Sequence, residues 1–124
     1  MSKRASKKQF TFISRAAPYG GNRPQLCLDI ALAASVFEQQ VNYLFVGDGV
    51  YQLLKGQNAE PIHAKTLGNA MATLDLYGID NVIVQAEALV ARGLTPEDLL
   101  LPVLVLSGPD ISNLIARSDA VFNL

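Results

Sequence analysis

Five short apolar runs, "QFTFIS" (9–14), "VNYLFVG" (41–47), "NVIVQ" (81–85), "PVLVLS" (102–107) and "DAVFNL" (119–124), are separated by stretches with helical spacing. Strand alternating with helix leaves few solutions, because each helix must carry the chain back to start a parallel strand. The expected fold is a single three-layer α/β/α domain with a mainly parallel five-stranded sheet. The run "PVLVLS" has almost no polar residue, which suits a central strand covered on both faces. At 124 residues the chain fits one domain, with residues 1–8 as a flexible basic N-terminal tail and 9–124 as the folded unit.

Local signals punctuate this pattern. Asn22 and Gln25 have capping-box spacing, and a helix is expected from about 23 to 40. Its apolar residues (Leu26, Leu28, Ile30, Leu32, Val36 and Phe37) lie nearly all round, so one stripe faces the sheet and the rest needs another cover. Asp48 is placed to cap the short helix "GVYQLLKG". A second long helix is expected over about 62–77, stopped by Gly78 with Ile79 as its apolar follower. A third, Ala86–Arg92, is stopped by Gly93. Thr95 to Asp98 opens a further turn, and Ser107 to Asp110 starts the last helix. A flavodoxin-like outline is the default arrangement for such a pattern.

Charge distribution narrows the function classes. Lys3, Arg4, Lys7 and Lys8 supply four of ten positive charges, so residues 9–124 carry six positive and eleven negative charges, a balance of −5. An acidic body does not suit a phosphate-backbone groove, and no direct nucleic-acid binding is expected. Charged residues make up 17% of the chain, below the ~25% of an average soluble domain. That shortage, with half the residues apolar, points to surface buried against other subunits. No run approaches the ~18 apolar residues of a membrane span. A single cysteine excludes an internal disulfide, and a cytoplasmic location is expected.

Ligands in open α/β sheets sit beyond the carboxyl ends of strands, where three loops qualify. "SRAAPYGGNR" (14–23) offers Ser14 and two glycines for a phosphate or flavin, but Pro18 removes one donor. "GDGVYQ" (47–52) has a GxG without the third glycine of a dinucleotide loop, and Asp48 would repel a pyrophosphate. The third loop begins at Gln85, where strand meets helix. A cysteine there would gain thiolate character from the helix start; glutamine cannot be activated in that way. Cys27 sits beside Ile30, Ala31 and Ala34, the setting of a buried apolar thiol, although it is the only candidate nucleophile. His63 lacks partner ligands, so no metal is expected, and no cofactor either. Tyr19, Tyr43, Tyr51 and Tyr77 read as core or interface anchors.

Three stretches, "RAAPYG" (15–20), "VGDGVYQLLKGQ" (46–57) and "ARGL" (91–94), together with the chain end "SDAVFNL", resemble the DsrE/DsrF-like family, in particular its TusC/DsrF-type subunits. The resemblance spans roughly residues 10–124. It implies a sulfur relay in a heterohexamer containing TusB/DsrH-like and TusD/DsrE-like subunits, which hands persulfide sulfur to a TusE/DsrC-like carrier. Counting back from the Arg-Gly pair, the reactive cysteine of the TusD/DsrE-type partner falls at or next to Gln85. The implied role is a non-catalytic subunit of the sulfurtransferase complex, serving 2-thiouridine synthesis at tRNA wobble positions or, in the DsrF role, dissimilatory sulfur oxidation. Pro18, Tyr19, Asp48, Val50, Tyr51 and Leu53 are the interface candidates. Two other readings stand beside it: a self-standing thiol sulfurtransferase using Cys27, and a flavin- or nucleotide-binding module.

Overall fold

A computed structural model describes residues 8–15, 23–36, 40–54, 74, 79, 81–100 and 102–123. Its strands are β1 (Gln9–Ser14), β2 (Gln40–Phe45), β3 (Asn81–Gln85), β4 (Leu104–Leu106) and β5 (Ala120–Asn123). The helices among the described residues are α1 (Arg23–Val36), α2 (Ala86–Ala91) and α3 (Gly108–Arg117), with 3-10 turns at Gly47–Leu53 and Pro96–Asp98. All strand pairs are parallel, in the order β4-β3-β2-β1-β5.

That order explains the layers. From β1 to β4 each new strand is added on the same side, so right-handed crossovers put every intervening helix on one face. The step from β4 to β5 runs back across the whole sheet, and the same handedness puts α3 on the other face. Alternate strand residues divide accordingly. Phe12, Tyr43, Phe45, Val82 and Val84 pack with Cys27, Leu28 and Ala31 of α1 and with Ala88 and Leu89 of α2. Ile13, Leu44 and Ile83, neighbours in one cross-strand row, pack with Ile111 and Leu114 of α3. The three-layer parallel architecture is therefore as expected. Its strand order is not that of flavodoxin, because β1 lies between β2 and β5 rather than between β2 and β3.

The expected place of the fourth strand is overturned. The apolar "PVLVLS" run forms an edge strand, not a central one, because the return to β5 leaves β4 without an outer neighbour. Leu104 is 56% exposed and Val105 37%. The opposite edge is held by ring packing: Phe122 of β5 stacks on Phe12 at 4.7 Å and meets Phe10 edge-on at 5.9 Å.

Four polar side chains on the α3 side of the sheet form a row. Asn81 donates to Asn42 (3.1 Å), Asn42 donates to Thr11 (3.3 Å), and the hydroxyls of Thr11 and Ser118 share a hydrogen bond. The row crosses three strands beneath α3, so the buried side chains of Thr11 and Asn42 each have partners within it.

The end of α2 follows its sequence signal. Gly93 has a φ of 66°, Gly93 N–H donates to the Val90 carbonyl (3.2 Å) and Leu94 N–H to the Leu89 carbonyl (2.9 Å). Those two bonds make a Schellman stop, closed by the apolar pair Leu89 and Leu94. Of the helix expected over 62–77, only Leu74 falls among the described residues. Ile79 N–H donates to the Leu74 carbonyl at 3.2 Å and both residues are buried; the expected stop, Gly78, lies outside the described residues. Helix α1 is described as far as Val36, and Gln40, the expected helix end, already belongs to β2. Asn22, half of the expected capping box, lies outside the described residues.

Candidate functional site

Strand order also decides where a crevice opens. Beyond β3 the chain turns into α2 on one face; beyond β4 it turns into α3 on the other. Ligand crevices of open α/β sheets form where successive connections diverge in this way. Gln85, the last residue of β3, stands at that divergence. One hydrogen bond spans it: Glu87 Oε2 of α2 accepts from the Gly108 N–H of α3 at 3.1 Å. The bond holds the Glu87 carboxyl below its ordinary range.

Gln85 is half-buried and occupies the N-cap position of α2, with no side-chain cap bond to that helix. Its Oε1 instead accepts from the Gly47 N–H at 3.3 Å. Gly47 has a φ of 52°, which turns the chain out of β2 toward Gln85. Gly49 meets a different need. A Cβ there would lie 2.1 Å from the Ser14 carbonyl oxygen, so the 3-10 turn can press against β1 only with hydrogen at that position. The Gly-Asp-Gly of 47–49 is accordingly a packing device, and among the described residues it offers no phosphate cradle. Ser14 is likewise turned inward, its hydroxyl accepting from Gln52 Nε2 at 2.7 Å.

Asp48 does not cap the 3-10 turn. Val46 takes the N-cap position, and Asp48 is paired with Arg92, Nη2 to Oδ1 at 2.8 Å and Nε to Oδ1 at 3.2 Å. Arg92 also donates to the Ala88 carbonyl (3.1 Å) and lies over the Tyr51 ring, 5.8 Å from its centre. The guanidinium therefore ties the end of α2 to the turn after β2. Asp48 and Arg92 are 44 residues apart, so no local pattern announces the pair.

Cys27 is fully buried. Burial pushes its thiol above the ordinary range, against a smaller opposing pull from the nearby hydroxyls of Tyr43 and Ser14. The Tyr43 hydroxyl is raised further, by burial first and then by Cys27 beside it. A thiol in this setting stays protonated near neutral pH and is sealed from reagents, the reverse of a reactive cysteine.

The interface candidates separate. Val50 and Leu53 are fully buried inside this chain, so their side chains are core and cannot face a partner. They point inward because the 3-10 turn packs its apolar side onto the sheet. Asp48 is exposed and Tyr51 half-buried. Pro18, Tyr19, His63 and Tyr77 lie outside the described residues. No group of three or more His, Cys, Asp or Glu side chains that could hold a metal occurs among the described residues.

A cleft of about 500 Å³ opens beside Gln85. Ile13, Leu44, Ile111 and Ile115 are among its walls, and Arg15, Gly47 and Gln85 also line it. Arg15 opens the loop that the sequence offered beyond the first strand, whereas the α3 residues of this cleft did not stand out; their meeting depends on α3 crossing to the second face.

Comparison with known proteins agrees with this geometry. The DsrE/DsrF-like family matches residues 8–124. A protein named TusC homolog from Pseudomonas aeruginosa is 38% identical over 112 residues, covering 90% of this chain and 94% of the relative. The intracellular sulfur oxidation protein DsrF of Allochromatium vinosum is 35% identical over 130 residues, covering 94% of this chain and 96% of the relative. The crystal structure of the E. coli ychN protein superposes with a TM-score of 0.77 over 94% of this chain and 99% of that one; at 18% identity, this is a likeness of fold. The chain belongs to the DsrE/DsrF-like family.

Proposed function

We propose that this protein is a non-catalytic subunit of a sulfur relay complex, shaping the surroundings of a cysteine that another subunit supplies. The observation that carries this reading is Gln85. A relay needs a thiolate that can form and release a persulfide. The β3–α2 junction holds an amide, and the chain's one thiol, Cys27, lies in the core with its ionisation suppressed. Low overall charge and the exposed apolar side chains of Leu26, Val90 and Leu104 fit a surface made to be covered by other subunits.

The proposed assembly is a heterohexamer with TusB/DsrH-like and TusD/DsrE-like subunits, which delivers sulfur to a TusE/DsrC-like carrier. Relatives named TusC and DsrF match this chain at similar identity. We place it first in tRNA 2-thiouridine synthesis, with sulfur oxidation as the second reading. Co-expression of the chain with its two presumed partners, followed by native mass spectrometry, tests the assembly. A two-of-each complex is expected; a monomer that ignores both partners overturns the proposal. Loss of 2-thiouridine from tRNA when the gene is deleted then separates the two pathways.

A further inference from the structure

We infer that the cleft between α3 and the carboxyl ends of β1–β3 receives an extended segment of another polypeptide, one that carries an acidic side chain flanked by aliphatic ones. The cleft holds about 500 Å³, room for several side chains. Its inner wall is aliphatic: Ile13 and Leu44 from the sheet, Ile111 and Ile115 from α3. Among the described lining residues the polar side chains are Arg15 and Gln85, at the ends of β1 and β3.

The side-chain polar groups left unused among the described lining residues are donors. Arg15 is exposed and has no ion-pair or hydrogen-bond partner among the described residues. The Gln85 amide uses its oxygen for the Gly47 N–H, which fixes the side chain and leaves its NH2 as the free end. No carboxylate is among the described lining residues, and the nearby Asp48 is engaged by Arg92. An aliphatic wall with an unanswered guanidinium and an amide NH2 is complementary to an aliphatic–carboxylate–aliphatic pattern. The cleft is open to solvent on one side, so a small molecule would be left half uncovered. A peptide segment would be covered on that side by the protein it belongs to. The inference rests on reading this chain as one subunit among several, since the occupant is a segment of another chain.

The test uses the full chain and short peptides, N-acetylated and C-amidated, with Leu-Glu-Leu, Leu-Gln-Leu or Leu-Lys-Leu at their centre. Nitrogen-15 NMR follows the Gly47 backbone amide and the Gln85 side-chain amide. The Glu peptide is expected to shift both signals saturably and to bind roughly fivefold tighter than the Gln peptide, the upper end for a partly exposed ion pair. In Arg15→Glu, an exposed substitution that leaves the core untouched, the preference should invert toward the Lys peptide. Absence of shifts at millimolar peptide overturns the inference. So does equal binding of the Glu and Gln peptides, or valerate alone binding as well as the Glu peptide, which would mark a small-molecule site. The outcome is separable from that of the assembly experiment: a complex that forms while the cleft ignores every peptide removes this inference alone, and peptide binding by a chain that never assembles removes the proposed function alone.

Discussion

The side-chain carbonyl of Gln85 accepts a hydrogen bond from the backbone N–H of Gly47, 38 residues earlier, and so joins the end of β3 to the turn that follows β2. A reactive side chain at this junction would have to stay free to meet substrate. Gln85 is instead a fastening. Replacing it with Ala should cost about 1 kcal/mol, the usual net worth of one partly buried hydrogen bond. The check is the urea midpoint, and the slope should not change.

The two glycines that look alike in sequence, Gly49 and Gly93, should respond differently to alanine. At Gly93 the strain is conformational, with φ at 66° and open space around a Cβ, so Gly93→Ala should cost about 1–2 kcal/mol. At Gly49 the obstacle is the Ser14 backbone carbonyl, which cannot move without shifting β1. Gly49→Ala should cost about 3 kcal/mol, at the upper end for overpacking. Equal melting points for the two variants would contradict the close approach.

The Glu87 carboxylate on the Gly108 N–H gives a pH signature. Its folded pKa lies below the unfolded value, so its contribution is fully present above the ordinary Glu range. It is lost as pH falls through the lowered folded value. Stability of the native protein should therefore decline more across that acid window than stability of Glu87→Gln, whose amide cannot titrate. Parallel pH–stability curves would mean that the carboxylate leaves Gly108 in solution.

Local signals were readable wherever the physics is local. β1 and β3 begin and end where their apolar runs do, and the Gly93 stop forms from residues within six positions of one another. What the sequence hid depends on distant parts meeting. β4 reads as central because its side chains are apolar; its edge position follows from where β5 docks, 14 residues further on. Asp48 reads as a helix cap because its partner Arg92 lies on another element. Val50 and Leu53 read as a surface because the turn's inward face cannot be told from its outward face without the sheet beneath it. The cleft was half legible: the stretches holding Arg15 and Gln85 were marked as strand-end loops, but its wall of Ile111 and Ile115 comes from α3, whose face only the sheet order decides.

Cys27 should behave as a core residue. Sealed from solvent and with its ionisation suppressed, it should react with thiol reagents only at the rate at which the chain unfolds. Raising the pH from 7 to 9 should barely accelerate labelling, whereas an exposed thiol would speed up many-fold over that interval.

The most direct test is intact mass spectrometry of the assembled complex after exposure to a persulfide donor, with each subunit weighed separately. Added sulfur that is removable by reductant should appear on a partner subunit and never on this chain, and Cys27→Ser should leave transfer to the carrier unchanged. Sulfur found on Cys27 and chased from there onto the carrier would contradict the non-catalytic role.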